Sequence, residues 1–192
     1  MAMEPGVAEL NDGLVTLRPL QLDDAADHLA GEDAELVRWL SGGPGTEETV
    51  RACVERAQQM WANHGPIFTF AIRSSACDSL AGTIDVQLGQ PAYRPGQANL
   101  AYGLYPQWRG RGLATRAVNL ALEFLRSQAD VNSALIRVEP GNASSVSVAM
   151  RAGFTLVAHS TETADGHDWF EHEINPTTPR ATVGGSRVSR PG

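Results

Sequence analysis

An α/β fold, with strands and helices alternating along the chain, is what this sequence predicts, and three observations predict it. Short stretches show period-two apolar alternation, as with Val15 and Leu17 on one face of 13–20, and read as strands. Other stretches place apolar residues at helical spacing, as with Leu113, Ala117, Leu120, Ala121, Phe124 and Leu125. A loop with two glycines, "WRGRG" at 108–112, stands between a strand-like stretch and the helix-like one that follows.

The elements follow in order. "GLVTLRPL" (13–20) is a strand ended by Pro19. Residues 22–40 read as a helix with acidic residues in its first turn, broken near Gly31. "GGPG" (42–45) is a loop, and Thr46 is placed to cap a helix that carries the stripe Val50, Val54, Ala57 and Trp61 to about residue 63. Residues 66–74 and 80–89 are two strands joined by a short polar turn, 90–97 is a loop, and 99–106 is the next strand. Beyond the glycine loop and its helix come a strand at 134–140 and a short helix within 141–154, bounded by Asn142 and Gly153. Residues 155–163 and 167–175 form a hairpin around "ADG" at 164–166. The whole of 1–175 reads as one domain. Residues 176–192 have no periodicity and three arginines, the pattern of a flexible basic tail.

Composition removes several function classes. The 192 residues carry 15 basic against 22 acidic side chains, a net charge of −7, which argues against a nucleic-acid partner. Apart from histidines every basic residue is arginine, so phosphate loops and Schiff-base chemistry that need a lysine are excluded. Cys53 and Cys77 match no metal or redox spacing and the histidines show no ligand spacing, so no metal is expected. The first residues lack a basic region followed by an apolar run, and no stretch approaches the ~18 apolar residues of a membrane span. A cytoplasmic protein is the expectation.

The glycine loop has a physical purpose available to it. A loop leading into a helix aims free backbone N–H groups and the positive end of the helix dipole at one spot, and glycines let the backbone curl close to a ligand. Such a nest binds phosphate oxygens, with Arg109 and Arg111 able to add charge at its rim; a tight turn without a ligand would look the same. The dinucleotide fingerprint fails, since only Gly110 and Gly112 are present. A second helix start follows one strand later, at Asn142 and Ser145. Capping alone would explain those residues, but two helix N-termini beside each other on adjacent parallel strands make a cleft lined by donors.

With these residues in view, the sequence resembles the GNAT N-acetyltransferases. Gln107-Trp108-Arg109-Gly110-Arg111-Gly112 is similar to that family's Q/R-x-x-G-x-G/A acetyl-CoA loop. "LVTLRPLQLDDA", "AGTIDVQ" at 81–87, and the spacing from Asn142 through Ser145 to Gly153-Phe154 resemble the RimJ/RimL branch, which acetylates protein N-termini and various small amines. The likeness runs from about residue 14 to 175. It implies a mixed, mostly antiparallel seven-stranded sheet, splayed between its fourth and fifth strands and flanked by about four helices. Acetyl-CoA, as cosubstrate, would lie in the splay. Backbone groups of Leu104 and Tyr105 would pair with its pantetheine arm. Gln107 opens the loop, and the N–H groups of Arg109, Gly110, Arg111, Gly112, Leu113 and Ala114 would hold the pyrophosphate. Asn142 would bond the pantetheine, with Ser145 near the sulfur.

The implied reaction is direct attack of a neutral amine on a thioester, with both partners in one cleft. Ser145 can donate to the departing thiolate. Many family members place a tyrosine one turn further along, where this chain has Ala149. Relatives in this branch often carry Glu where this chain has Asn99, so the base is sought elsewhere: Glu162 first, Asp85 second, with a solvated surface carboxylate the simpler reading of either. Trp39, Trp61 and Tyr102 could wall an acceptor pocket or pack in the core. Expected partners are acetyl-CoA and an amine acceptor, in a monomer or homodimer. An antibiotic-modifying, aminoglycoside-type acetyltransferase and a non-catalytic acyl-CoA-binding module, the latter suggested by Asn99 and Ala149, are the alternatives.

Overall fold

The computed structural model describes residues 9–41 and 43–174. Its strands are β1 (Leu10–Asn11), β2 (Val15–Pro19), β3 (Ile67–Ser74), β4 (Ser79–Gln87), β5 (Gln97–Leu104), β6 (Ser133–Val138), β7 (Thr155–Ala158) and β8 (Asp168–Glu173). Its helices are α1 (Ala25–Gly31), α2 (Ala34–Leu36), α3 (Glu47–Ala62), α4 (Leu113–Arg126) and α5 (Ala143–Arg151). The strands form one eight-stranded sheet in the order β1-β2-β3-β4-β5-β6-β8-β7. All seven expected strands are present. The eighth, β1, is two residues long, too short to leave a period-two trace.

One join in the sheet differs from the rest. β5 and β6 run parallel, and their pairing covers only Gln97–Asn99 against Ser133–Leu135. Beyond Asn99, β5 continues to pair with β4 as far as Leu104, and beyond Leu135, β6 continues to pair with β8. The two strands therefore part, and a gap opens between their C-terminal halves. This is the splay expected between the fourth and fifth strands of the sequence reading.

Alternation decides which side chains meet which helices. Phe68, Phe70, Ile84, Val86 and Leu100 are buried on one face with Ala117, Ala121 and Phe124 of α4. The opposite face carries Ala71 and Tyr105 against Val50 and Val54 of α3. Thr46 caps α3, its hydroxyl accepting from Thr49 N at 3.2 Å. The helix expected over 22–40 with a break near Gly31 is found as two stretches, 22–31 and 34–41. It begins as a 3-10 turn at Leu22–Asp24, breaks at Glu32, which is extended, and ends in a π turn over Val37–Ser41. Asp33 restarts the chain as the cap of α2, accepting from Leu36 N at 3.0 Å.

A buried carboxylate ties this helical segment to the sheet. Asp24 is 2% exposed. It accepts two bonds from Arg18 of β2 (2.9 and 2.8 Å), one from Arg73 of β3 (2.8 Å) and one from Gln21 N (2.9 Å). At the far edge, β7 ends at Ala158, short of the strand expected over 155–163. The following residues fold into a turn in which the Glu162 carboxylate accepts from His159 N at 2.9 Å. The tail expected at 176–192 lies outside the described residues. Among the described residues no helix is long and apolar enough to cross a membrane.

Candidate active site

The glycine loop folds as its composition requires. Gly110 and Gly112 have φ of 72° and 76°, the left-handed region, and Gly112 is the residue that caps α4. No side chain caps that helix, and none of the N–H groups from Gly110 to Ala114 meets an acceptor among the described residues. A run of free donors at the positive end of a 14-residue helix has the chemistry to hold an anion. Leu113 itself is buried in the core, so only its backbone is available.

The two loop arginines part company. Arg111 is exposed, with its guanidinium 5.3 Å from the Trp108 ring centroid. Arg109 was expected to add charge at the rim, and here the expectation is corrected. Its guanidinium donates to both oxygens of Asp33 at 2.8 Å and to Glu35 at 2.7 Å, while its Nε donates to the Leu104 carbonyl at 3.0 Å. Two carboxylates already neutralise it. Arg109 is a brace between the loop and α2 rather than a free cation.

The second helix start faces the first across the gap. Asn142 caps α5, its Oδ1 accepting from Ser145 N at 3.0 Å, and its amide NH₂ meets no acceptor among the described residues. Ser145 Oγ lies 3.0 Å from the Tyr102 hydroxyl. Burial pushes the Tyr102 phenol up to about 12, against a hydrogen bond from Ser145 that acts the other way, so it stays a neutral donor. Ala149 is fully buried. The hydroxyl beside Ser145 therefore comes from strand β5 rather than from the next turn of α5.

These elements line one cleft of about 390 Å³ that passes through the gap between β5 and β6. It brings together Trp39, Tyr102, Leu104, Gly110, Asn142 and Ser145. Gly103 gives the wall its closeness, since a Cβ there would lie 2.4 Å from Leu40 Cδ1 and 2.5 Å from Leu36 Cδ2.

Other expected residues fall elsewhere. Tyr105 turns away, because its N–H bonds the Ala81 carbonyl at 2.9 Å and its hydroxyl meets His28 Nδ1 at 2.6 Å. The alternation of the strand then directs the backbone of Tyr102 and Leu104, and not of Tyr105, toward the gap. Gln107 is exposed in a 3-10 turn. Glu162 is exposed, outside the cleft, with its carboxylate occupied by the turn. Trp61 packs on Phe68 and Phe70 in the core. Asp85 lies under the wall beside Gln87; burial pushes its pKa up, against hydrogen bonds from Thr69 and Gln87 that favour the ionised form. Sequence reasoning assigned no role to Gln87 or Arg137, which also line the cleft, and read Asn99, another lining residue, only as a missing glutamate.

Comparison with known proteins follows the same lines. A family model described as the GNAT acetyltransferase domain matches residues 15–155. Among solved structures, the chain is similar to RimL, a ribosomal L7/L12 α-N-protein acetyltransferase in complex with coenzyme A, at TM-score 0.72 and 18% identity over 88% of this chain and 99% of that one. It is similar to RimJ of Mycobacterium smegmatis in complex with a CoA disulfide, at TM-score 0.70 and 20% identity over 87% and 86% of the two chains. It is also similar to the microcin C7 self-immunity acetyltransferase MccE in complex with acetyl-CoA and AMP, at TM-score 0.70 and 18% identity over 85% and 94%. No curated protein matches the sequence.

Proposed function

Since the chain belongs to the GNAT acetyltransferases, we propose that it moves an acetyl group from acetyl-CoA to a primary amine by direct attack, with both reactants in the cleft at once. The observation that carries this reading is the run of unpartnered N–H groups from Gly110 to Ala114 beside the gap between β5 and β6. Those donors suit a pyrophosphate. The backbone of β5 at Tyr102, beyond its last pairing with β6, suits the amides of a pantetheine arm.

In the reaction the amine nitrogen bonds the thioester carbon, the carbon–sulfur bond breaks, and the amine's extra proton passes to water. Ser145 donates to the thiolate as it leaves, and Tyr102, 3.0 Å behind it, holds that hydroxyl in place. A thiolate is a fair leaving group near neutral pH, so hydrogen bonding suffices without a strong acid. An N-terminal amine of a protein or a small amine both fit this scheme.

Thiol release measured over a panel of amines tests the reading, with no release from any amine refuting it. Ser145→Ala is expected to lower kcat tenfold or more, toward the ~10²-fold of a lost acid–base group, while the acetyl-CoA dissociation constant stays near wild type. Glu162→Gln is expected to leave kcat within about twofold, as exposed positions outside a site do. A Ser145→Ala enzyme with full kcat would remove the hydroxyl from the chemistry.

A further inference from the structure

An amine that attacks a thioester sheds a proton, and a positioned base speeds that loss. The titratable side chains that line the cleft are Glu35, Tyr102, Arg109, Arg137, Glu139 and His167. Most of them are committed. Glu35 and Arg109 neutralise each other at 2.7 Å, Arg137 is held by Asp165 at 2.9 Å, and burial keeps the Tyr102 phenol protonated. Glu139 and His167 remain.

Glu139 is exposed just beyond the end of β6. His167 is held in place. It directly precedes β8, whose Trp169 stands opposite Arg137 and whose Asp168 stands opposite Val138. Alternation puts His167 on the face of Trp169 and Arg137, across the sheet from Val138, Phe170 and Ala149 of α5. Its Nδ1 lies 2.8 Å from the Asp165 carbonyl oxygen. A carbonyl only accepts, so Nδ1 carries the proton and, in the neutral ring, Nε2 carries the lone pair.

The Asp165 carboxylate stands 3.7 Å from the same Nδ1, where it can balance a second proton on the ring. Burial raises the Asp165 pKa, but hydrogen bonds from Trp169, His167 N and Arg137 outweigh it and hold the group at about 2. Arg137 shares this anion from β6, Glu139 is the other charge lining the cleft from that side, and Asp168 of β8 accepts from Ser160 N at 2.7 Å.

We propose that His167 is the base of the transfer: its Nε2 receives, through one bridging water, the proton that the attacking amine gives up. The nitrogen–carbon bond forms, and the carbon–sulfur bond breaks with its electron pair on sulfur. The proton rests on the imidazolium, beside the Asp165 carboxylate, until solvent takes it. A carboxylate at the far nitrogen orients the ring and favours its charged form, as in hydrolytic triads. Ser145 serves the sulfur from α5 and His167 serves the amine from the other face, so the two tasks fall to separate groups. This rests on the acetyl-transfer reading of the same cleft.

The test is thiol release with glycinamide, benzylamine and an alanyl peptide, expressed per neutral amine over a range of pH. His167→Asn sets an amide N–H near the place of Nδ1 and removes Nε2, whereas His167→Gln gives up the Nδ1 position. A structural bond at Nδ1 would survive in the first variant and not in the second; a base is lost in both. Both are expected to lower kcat/KM for the best amine by about tenfold or more and to flatten its fall on the acid side. Calorimetry is expected to show acetyl-CoA affinity within about twofold of wild type. Glu139→Gln is expected to leave kcat/KM within about twofold. Wild-type kcat/KM in His167→Asn, an acid-side fall that persists in it, or a tenfold loss in Glu139→Gln overturns the proposal while leaving acetyl transfer intact. Release from no amine by the wild-type protein, with acetyl-CoA still bound, overturns the transferase reading itself.

Discussion

Gly112→Val is expected to weaken acetyl-CoA binding by 100-fold or more without unfolding the protein. A Cβ at Gly112 would meet nothing within 4 Å, so the substitution clashes with no neighbour. What it opposes is the backbone itself. Gly112 holds φ at 76°, where an L residue costs roughly 1–2 kcal/mol and a β-branched one more. The loop is exposed and free to relax, and relaxing turns its N–H groups away from their common focus. Each hydrogen bond to a charged group contributes about 1.5–3 kcal/mol, so losing two of them accounts for roughly a 10²-fold to 10⁴-fold change. Calorimetry reads the affinity, and thermal unfolding reads the small accompanying loss of stability. Unchanged affinity would mean that the loop does not hold phosphate.

Asp24→Ala is expected to be among the most destabilising single changes in the chain, at about 3 kcal/mol. Asp24 is the shared anion of Arg18 and Arg73, whose side chains are 23% and 14% exposed. Removing it leaves both guanidinium groups near each other without their counter-charge. Arg73 keeps Asp78 and Arg18 reaches some water, which places the loss at the low end of the range for a broken buried pair. For a chain of this size that is a fall in Tm of roughly 10 °C. Asp24→Asn, which preserves shape and some hydrogen bonds, is expected to fall between. Denaturant titration of the three proteins checks the order, and a Tm for Asp24→Ala within a degree of wild type would refute the role.

Legibility in the sequence followed the range of the interaction. Thr46 and Asn142 were readable as caps because a cap bonds an N–H three residues away, and the Gly110–Gly112 loop because left-handed backbone narrows the choice of residue. Arg109 was misplaced because its partners, Asp33 and Glu35, lie more than seventy positions earlier. Tyr105 was misplaced by one step of strand alternation, which exchanges the gap for β4. Glu162 was assigned to a strand that stops at Ala158, where His159 and Glu162 close a turn. Asn99 and Arg137 gave no positive signal, because a polar residue within a strand reads as facing water. Their place in the cleft depends on the parting of two strands, which is not local.

The parting of β5 and β6 also bears on how long the molecule survives. Inside most sheets every interior edge is bonded in the folded chain alone, but here the stretch beyond Asn99 and Leu135 is an interior edge without a strand opposite. A small molecule that lays amide groups along it completes the ladder only when the chain is folded. At a concentration 100 times its dissociation constant such a ligand adds about 2.7 kcal/mol to the stability of the folded state, and the population open to proteases falls by about the same factor of 100. Resistance of this protein to proteases is then expected to rise with the concentration of such a ligand.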